Sequence, residues 1–142
     1  MGADMSYRCL GNDKYKITVK FYRDCRGAGA PASWSSLYWY AGNNGGMATS
    51  QYSLSLTFVG IRDITPRCSS ASKPCSPKNT SYTGEGVEEH TYRGIVDFNI
   101  SPLNALARCT GKIIFGASVN ARNGAITTGP NGTLYTDAEL NI

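Results

Sequence analysis

The clearest pattern in the chain is the alternation from Lys14 to Arg23. Tyr15, Ile17, Val19 and Phe21 fall on one side, and Lys14, Lys16, Thr18 and Lys20 on the other. That period of two is the mark of a strand with one face against a core. Residues 5–10 predict a preceding strand, with Gly11-Asn12-Asp13 as the turn between them. A hairpin with that three-residue loop sets Leu10 opposite Lys14, Cys9 opposite Tyr15 and Arg8 opposite Lys16. Met5, Tyr7 and Cys9 then join the buried face. The outer face carries Arg8 beside Lys16, a like-charge pair that costs stability in water and suits an acidic partner.

Further strands are predicted over the aromatic run 34–40, over 51–59 (Tyr52, Leu54, Leu56 and Phe58 on one side), and over 87–98, 112–119 and 133–142. Residues 62–86, with Pro66, Pro74 and Pro77, read as a long irregular loop, and Asn123-Gly124 and Asn131-Gly132 as tight turns. The best helical candidate is Ser101–Arg108, about two turns with Ser at the cap and Pro at the first position. Seven or eight short strands and one short helix at most predict an all-β chain. The expected form is a single domain, a two-sheet antiparallel β-sandwich of immunoglobulin-like type.

The chain has 142 residues, enough for one domain with a real core. Charged residues are 17%, below the ~25% of an average soluble protein, and the formal charge is only +4. There is no run of about 18 apolar residues to span a membrane, and no basic tract of nucleic-acid type. The mild positive charge leaves acidic surfaces, including anionic polysaccharide, unrepelled.

Cysteines stand at 9, 25, 68, 75 and 109. None forms a Cys-x-x-Cys, and the one histidine, His90, cannot complete a zinc set, so no metal or cofactor is implied. Cys68 and Cys75 bracket a short polar loop that can close as a disulfide, which predicts an oxidising compartment. Cys9, Cys25 and Cys109 are candidates for a second disulfide or an intermolecular thiol. The first residues show neither a basic nor an apolar leader region, so a mature form is expected.

Several motifs in one order resemble the opening module of large surface proteins of Bacteroidota, those described as gliding-motility-associated or type IX-secreted. They are the start Met1-Gly-Ala-Asp-Met-Ser-Tyr-Arg-Cys-Leu-Gly11, then Tyr15-Lys-Ile-Thr-Val19 and Phe21-Tyr-Arg-Asp-Cys25. Asp63-Ile-Thr-Pro-Arg-Cys68, Gly86-Val-Glu-Glu-His-Thr-Tyr-Arg-Gly94 and Arg122-Asn-Gly-Ala-Ile-Thr127 continue the likeness over nearly the whole chain. The resemblance implies an exported module, first in its mature protein and followed by repeat and sorting domains. It implies no catalytic residue. The family shows a Cys-Cys pair where this chain has Asn120-Ala121, so its disulfide scheme does not carry over whole.

Three groups of residues could carry chemistry. On a strand, Glu88, His90 and Tyr92 share a face, so a carboxylate could orient the imidazole, but no nucleophile elbow accompanies them. Glu85, Glu88 and Glu89 could serve as paired carboxylates or calcium ligands, yet Glu88 and Glu89 point to opposite faces, and solvated surface carboxylates are the better reading. Strict alternation puts Trp34, Tyr38 and Tyr40 on one face and Leu37 and Trp39 on the other. Exposed aromatics of this kind stack on sugars or form protein contacts. The last strand, with Leu134, Thr136, Ala138, Leu140 and Ile142 alternating, can close its own sheet or add to a neighbour's.

The expectation is therefore a non-catalytic structural or adhesive module of a bacterial cell surface. It would associate with copies of itself or with neighbouring surface proteins through Trp34, Tyr38, Tyr40 and the last strand. A carbohydrate-binding module using the same aromatics is the alternative, and a hydrolase built on His90 and Glu88 ranks last.

Overall fold

The computed structural model describes residues 2–25, 29–41, 54–65, 86–100, 112–119 and 134–141. Everything regular in them is strand: β1 (Gly2–Gly11), β2 (Lys14–Asp24), β3 (Trp34–Ala41), β4 (Leu54–Asp63), β5 (Val87–Asp97), β6 (Lys112–Val119) and β7 (Leu134–Asn141). The helical candidate at 101–108 lies outside the described residues. All pairings are antiparallel, in the order β1-β2-β5-β4-β3-β6-β7.

Four of these strands, β1-β2-β5-β4, form a long regular ladder. Its centre is the eleven-residue register of β2 on β5, from Lys14 opposite Asp97 to Asp24 opposite Val87. The link from β4 to β3 is short and irregular, with only Trp34 opposite Leu56 and Leu37 opposite Leu54. From there β3-β6-β7 continues, and β7, at one end of the order, comes to lie against β1 at the other.

Directly opposite residues share a face, so the register sorts the side chains. The inner face of β2 is Tyr15, Ile17, Val19 and Phe21, the set that alternation predicts, and the last three are completely buried. They pack with Met5, Tyr92, Val96 and Phe98, and with Trp34, Leu56, Ile113, Phe115, Ala117 and Leu140 from the other strands. Trp34 bridges the two sets, edge-on to Phe21 at 5.8 Å and to Tyr92 at 5.5 Å.

Three local expectations are corrected. The hairpin turn is two residues, not three: Asn12 and Asp13 have φ of 50° and 55°, the left-handed pair of a type I′ turn. Gly11, not Leu10, then faces Lys14, and Leu10 is the extra residue of a bulge, with Gly11 at φ 86°. A turn of that hand matches strand twist, which a looser three-residue loop does not require. Tyr7 and Cys9 are on the inner side by register, yet both are exposed, because β1 is the outermost strand of the ladder, while Ile17 and Val96 on the strands within it are buried. Finally, β4 runs on to Asp63, past the predicted end at 59, because a bulge at Val59 absorbs the break in alternation at Gly60.

Candidate functional site

The first candidate is the predicted Glu88–His90 pair, on the inner face at the end of the ladder remote from the β1–β2 turn. Glu88 and His90 do share a face, and His90 Nε2 lies 3.0 Å from Glu88 Oε2. What spacing alone misses is Arg23, which sits directly opposite Glu88 across the β2–β5 ladder. Its guanidinium donates to the same carboxylate at 2.9 Å and to the carbonyl of Cys25 at 3.4 Å. All three side chains are about nine-tenths buried. The signal was present in the sequence as an arginine at the end of the cleanest alternating strand, but only the strand pairing shows what faces it.

Asp63 lies opposite Glu88 on β4, where its carboxylate accepts from the backbone and hydroxyl of Thr65. The Thr65 hydroxyl in turn accepts from the Val87 amide at 3.0 Å. The group therefore ties β2, β5 and the end of β4 together. A carboxylate taken out of water costs desolvation, which the guanidinium and the imidazole on Glu88 offset. Among the described residues, no three His, Cys, Asp or Glu side chains converge to hold a metal.

Glu89 turns to the opposite face, as expected, but neither it nor Glu88 is a solvated surface carboxylate. Glu89 is 6% exposed, bridged to Lys20 and Arg62 at 3.3 Å each. Long cationic side chains on both flanking strands lie over it and neutralise it. Glu85 lies outside the described residues. Tyr92 is completely buried, its hydroxyl donating to the carbonyl of Pro31 at 2.6 Å, and burial pushes its phenol up to about 12.

The aromatic surface is corrected more sharply. Trp34 is 3% exposed and belongs to the core, so it cannot serve as a contact residue on the surface. Between Trp34 and Leu37 the register shifts by one residue, which breaks the alternation that would group Trp34 with Tyr38 and Tyr40. Tyr38 and Tyr40 stand opposite Gly116 and Ile114 on β6, and their side chains lie outside the described ones. The last strand pairs with β6 along its length and ends the strand order, with Leu140 buried and Ala138 packed on the core. Thr136 is partly exposed, while the side chain of Leu134, and Ile142 altogether, lie outside the described residues.

Of the cysteines, Cys9 is free and exposed, and its sulfur accepts from the Gly11 amide at 3.4 Å. Cys25 is buried and disulfide-bonded. Cys68, Cys75 and Cys109, and with them the predicted 68–75 pair, lie outside the described residues. No helix among the described residues is long and apolar enough to cross a membrane.

Among the described residues, several exposed large apolar side chains stand on β4. Phe58, Val59 and Ile61, at 40%, 49% and 56% exposure, follow one another on β4. Here β4 pairs with β5 on one side only, because β3 leaves it after Leu56. Among the described residues, the far edge of 57–63 carries no ladder. It is an open strand edge set with apolar side chains, the feature by which sheets recruit another strand.

Comparison with known proteins returned no matching family model, no matching curated protein and no matching solved structure.

Proposed function

We propose that this chain is a non-catalytic extracellular module of a bacterial cell surface, a two-sheet β-sandwich that associates with copies of itself. The strand order supports the sandwich. First, second, fifth and fourth strands on one side, and third, sixth and seventh on the other, is the arrangement of immunoglobulin constant-type domains. A buried Trp on the third strand is a further point of likeness, filled here by Trp34. The surface location draws on the resemblance to Bacteroidota surface modules, and a disulfide-bonded Cys25 is in keeping with an oxidising compartment. A structural role is supported by the cluster at Glu88, where Arg23 and His90 spend the carboxylate on joining two strands.

The observation that carries self-association is the edge of β4 that carries no ladder among the described residues, with Phe58, Val59 and Ile61 along it. A strand from a second copy would complete the ladder and cover these side chains. A contact of this kind that does not close on itself builds a filament.

Light scattering after size exclusion, with reductant to remove any crosslink through Cys9, and negative-stain microscopy test this. The wild-type chain should form concentration-dependent oligomers or fibres. Ile61→Lys, which puts a charge on the edge at a position already half in water, should return it to a monomer with an unchanged circular dichroism spectrum. A wild-type protein that stays monomeric at high concentration would remove the reading.

A further inference from the structure

The outer face of the β1-β2-β5 ladder holds a second feature, independent of the β4 edge. Register places Arg8, Lys16 and Ile95 side by side in one row, and Ser6, Thr18, Arg93 and Thr57 in the next. Lys14 and Lys20, which flank these rows, are each held by a carboxylate, Asp97 at 3.0 Å and Glu89 at 3.3 Å. Arg8, Lys16 and Arg93 have no carboxylate partner among the described residues. Like charges on directly opposite strand positions repel, so Arg8 beside Lys16 costs the free fold stability that a bound anion would restore. Neighbouring strands stand about 4.8 Å apart, so the three cations lie within one small patch.

We propose that this patch binds an anionic polysaccharide, with its carboxylate or sulfate groups on Arg8, Lys16 and Arg93. Thr18 lies between Lys16 and Arg93, with Ser6 and Thr57 at the two ends of its row, and sugar hydroxyls would meet these side-chain hydroxyls. The guanidinium forks of Arg8 and Arg93 suit planar bidentate recognition of an acidic group. The patch chemistry favours this occupant over the other polyanions. Ile95 is the one large apolar side chain in these rows, so the buried aromatic or aliphatic cluster that anchors a protein partner is missing from them. Three cations without a carboxylate partner among the described residues fall short of the four to eight of a lipid-surface cluster, and the rows hold no aromatic ring on which nucleic-acid bases could stack.

The test is affinity electrophoresis or column retention of the intact chain at about 0.02 M salt, where screening over such a patch is weak. The matrices are polygalacturonate, dextran sulfate, neutral dextran and polyglutamate. The expected result is retention on polygalacturonate or dextran sulfate, none on neutral dextran, and weaker retention on polyglutamate. Combined Arg8→Ser, Lys16→Thr and Arg93→Thr should weaken binding by about tenfold or more. Arg62→Gln, a cation at the far corner that is paired with Glu89, should leave it unchanged. Thermal melts show that each variant is folded. Absence of retention on both acidic glycans, equal binding to polyglutamate, or an equal loss in Arg62→Gln would each overturn the proposal.

Discussion

Tyr92 shows how one side chain can answer to two environments. Its ring fills the centre of the core against Trp34 and Phe58, while its hydroxyl reaches the Pro31 carbonyl at the rim. Because burial raises its phenol from 10.0 to about 12, the folded chain favours the neutral form. Below pH 10 both folded and unfolded states keep the proton and the contribution is complete. As pH rises from 10 toward 12 the unfolded state releases its proton first, so stability falls. Denaturant titrations across that window should show a steeper loss for the wild type than for Tyr92→Phe. The variant should start about 1 kcal/mol lower at neutral pH through the lost hydrogen bond. Equal slopes would mean the phenol is not buried in this way. At the same scale Asp97 is held below the usual carboxylate range, first by the Asn99 amide and then by Lys14, which fixes the turn after β5.

Among the elements, β5 is the one on which the others are built, pairing with β2 on one side and β4 on the other. Its inner face has a gap in the row of large residues at Gly94, opposite the completely buried Ile17. A Cβ there would lie 2.6 Å from Leu56 Cδ2 and 3.1 Å from Leu54 Cδ2, so the leucines of β4 occupy the space a side chain would need. Gly94→Val should therefore destabilise the fold by roughly 1–3 kcal/mol, read from the denaturation midpoint. An unchanged midpoint would show that the leucines have room to move aside. The alternation of β5 is legible in the sequence, but the reason for its glycine is not, because it lies in a neighbour 38 positions away by number (Leu56 to Gly94). The bulges at Leu10 and Val59 and the shift after Trp34 are harder still, since each inserts one residue and reverses the face of those that follow.

For the molecule as a whole, Trp34 is where the β1-β2-β5-β4 ladder and the β3-β6-β7 strands meet. Its ring touches Phe21 and Tyr92 from one set while its backbone starts β3 in the other. Trp34→Ala should cost about 3–5 kcal/mol and lower cooperativity across the whole chain, as measured by calorimetry. A ligand residue on the surface would instead leave the melt in place, which is the outcome that would restore the aromatic-surface reading. The Nε1 of Trp34 is buried without a hydrogen-bond partner among the described residues, so Trp34→Phe is the milder control.

The sequence by itself determined the strand class, the seven segments to within a few residues, the inner set of β2, and the Arg8–Lys16 and Glu88–His90 proximities. These are local matters of period two and of a short hairpin, in which each residue's neighbours lie close along the chain. Only the tertiary structure decided which aromatic was core, that Arg23 completes the Glu88 cluster, and that residues 57–63 of β4 pair on one side only among the described residues. Each of these depends on pairings between distant segments and on single-residue register shifts, and a pattern along one strand carries no information about either.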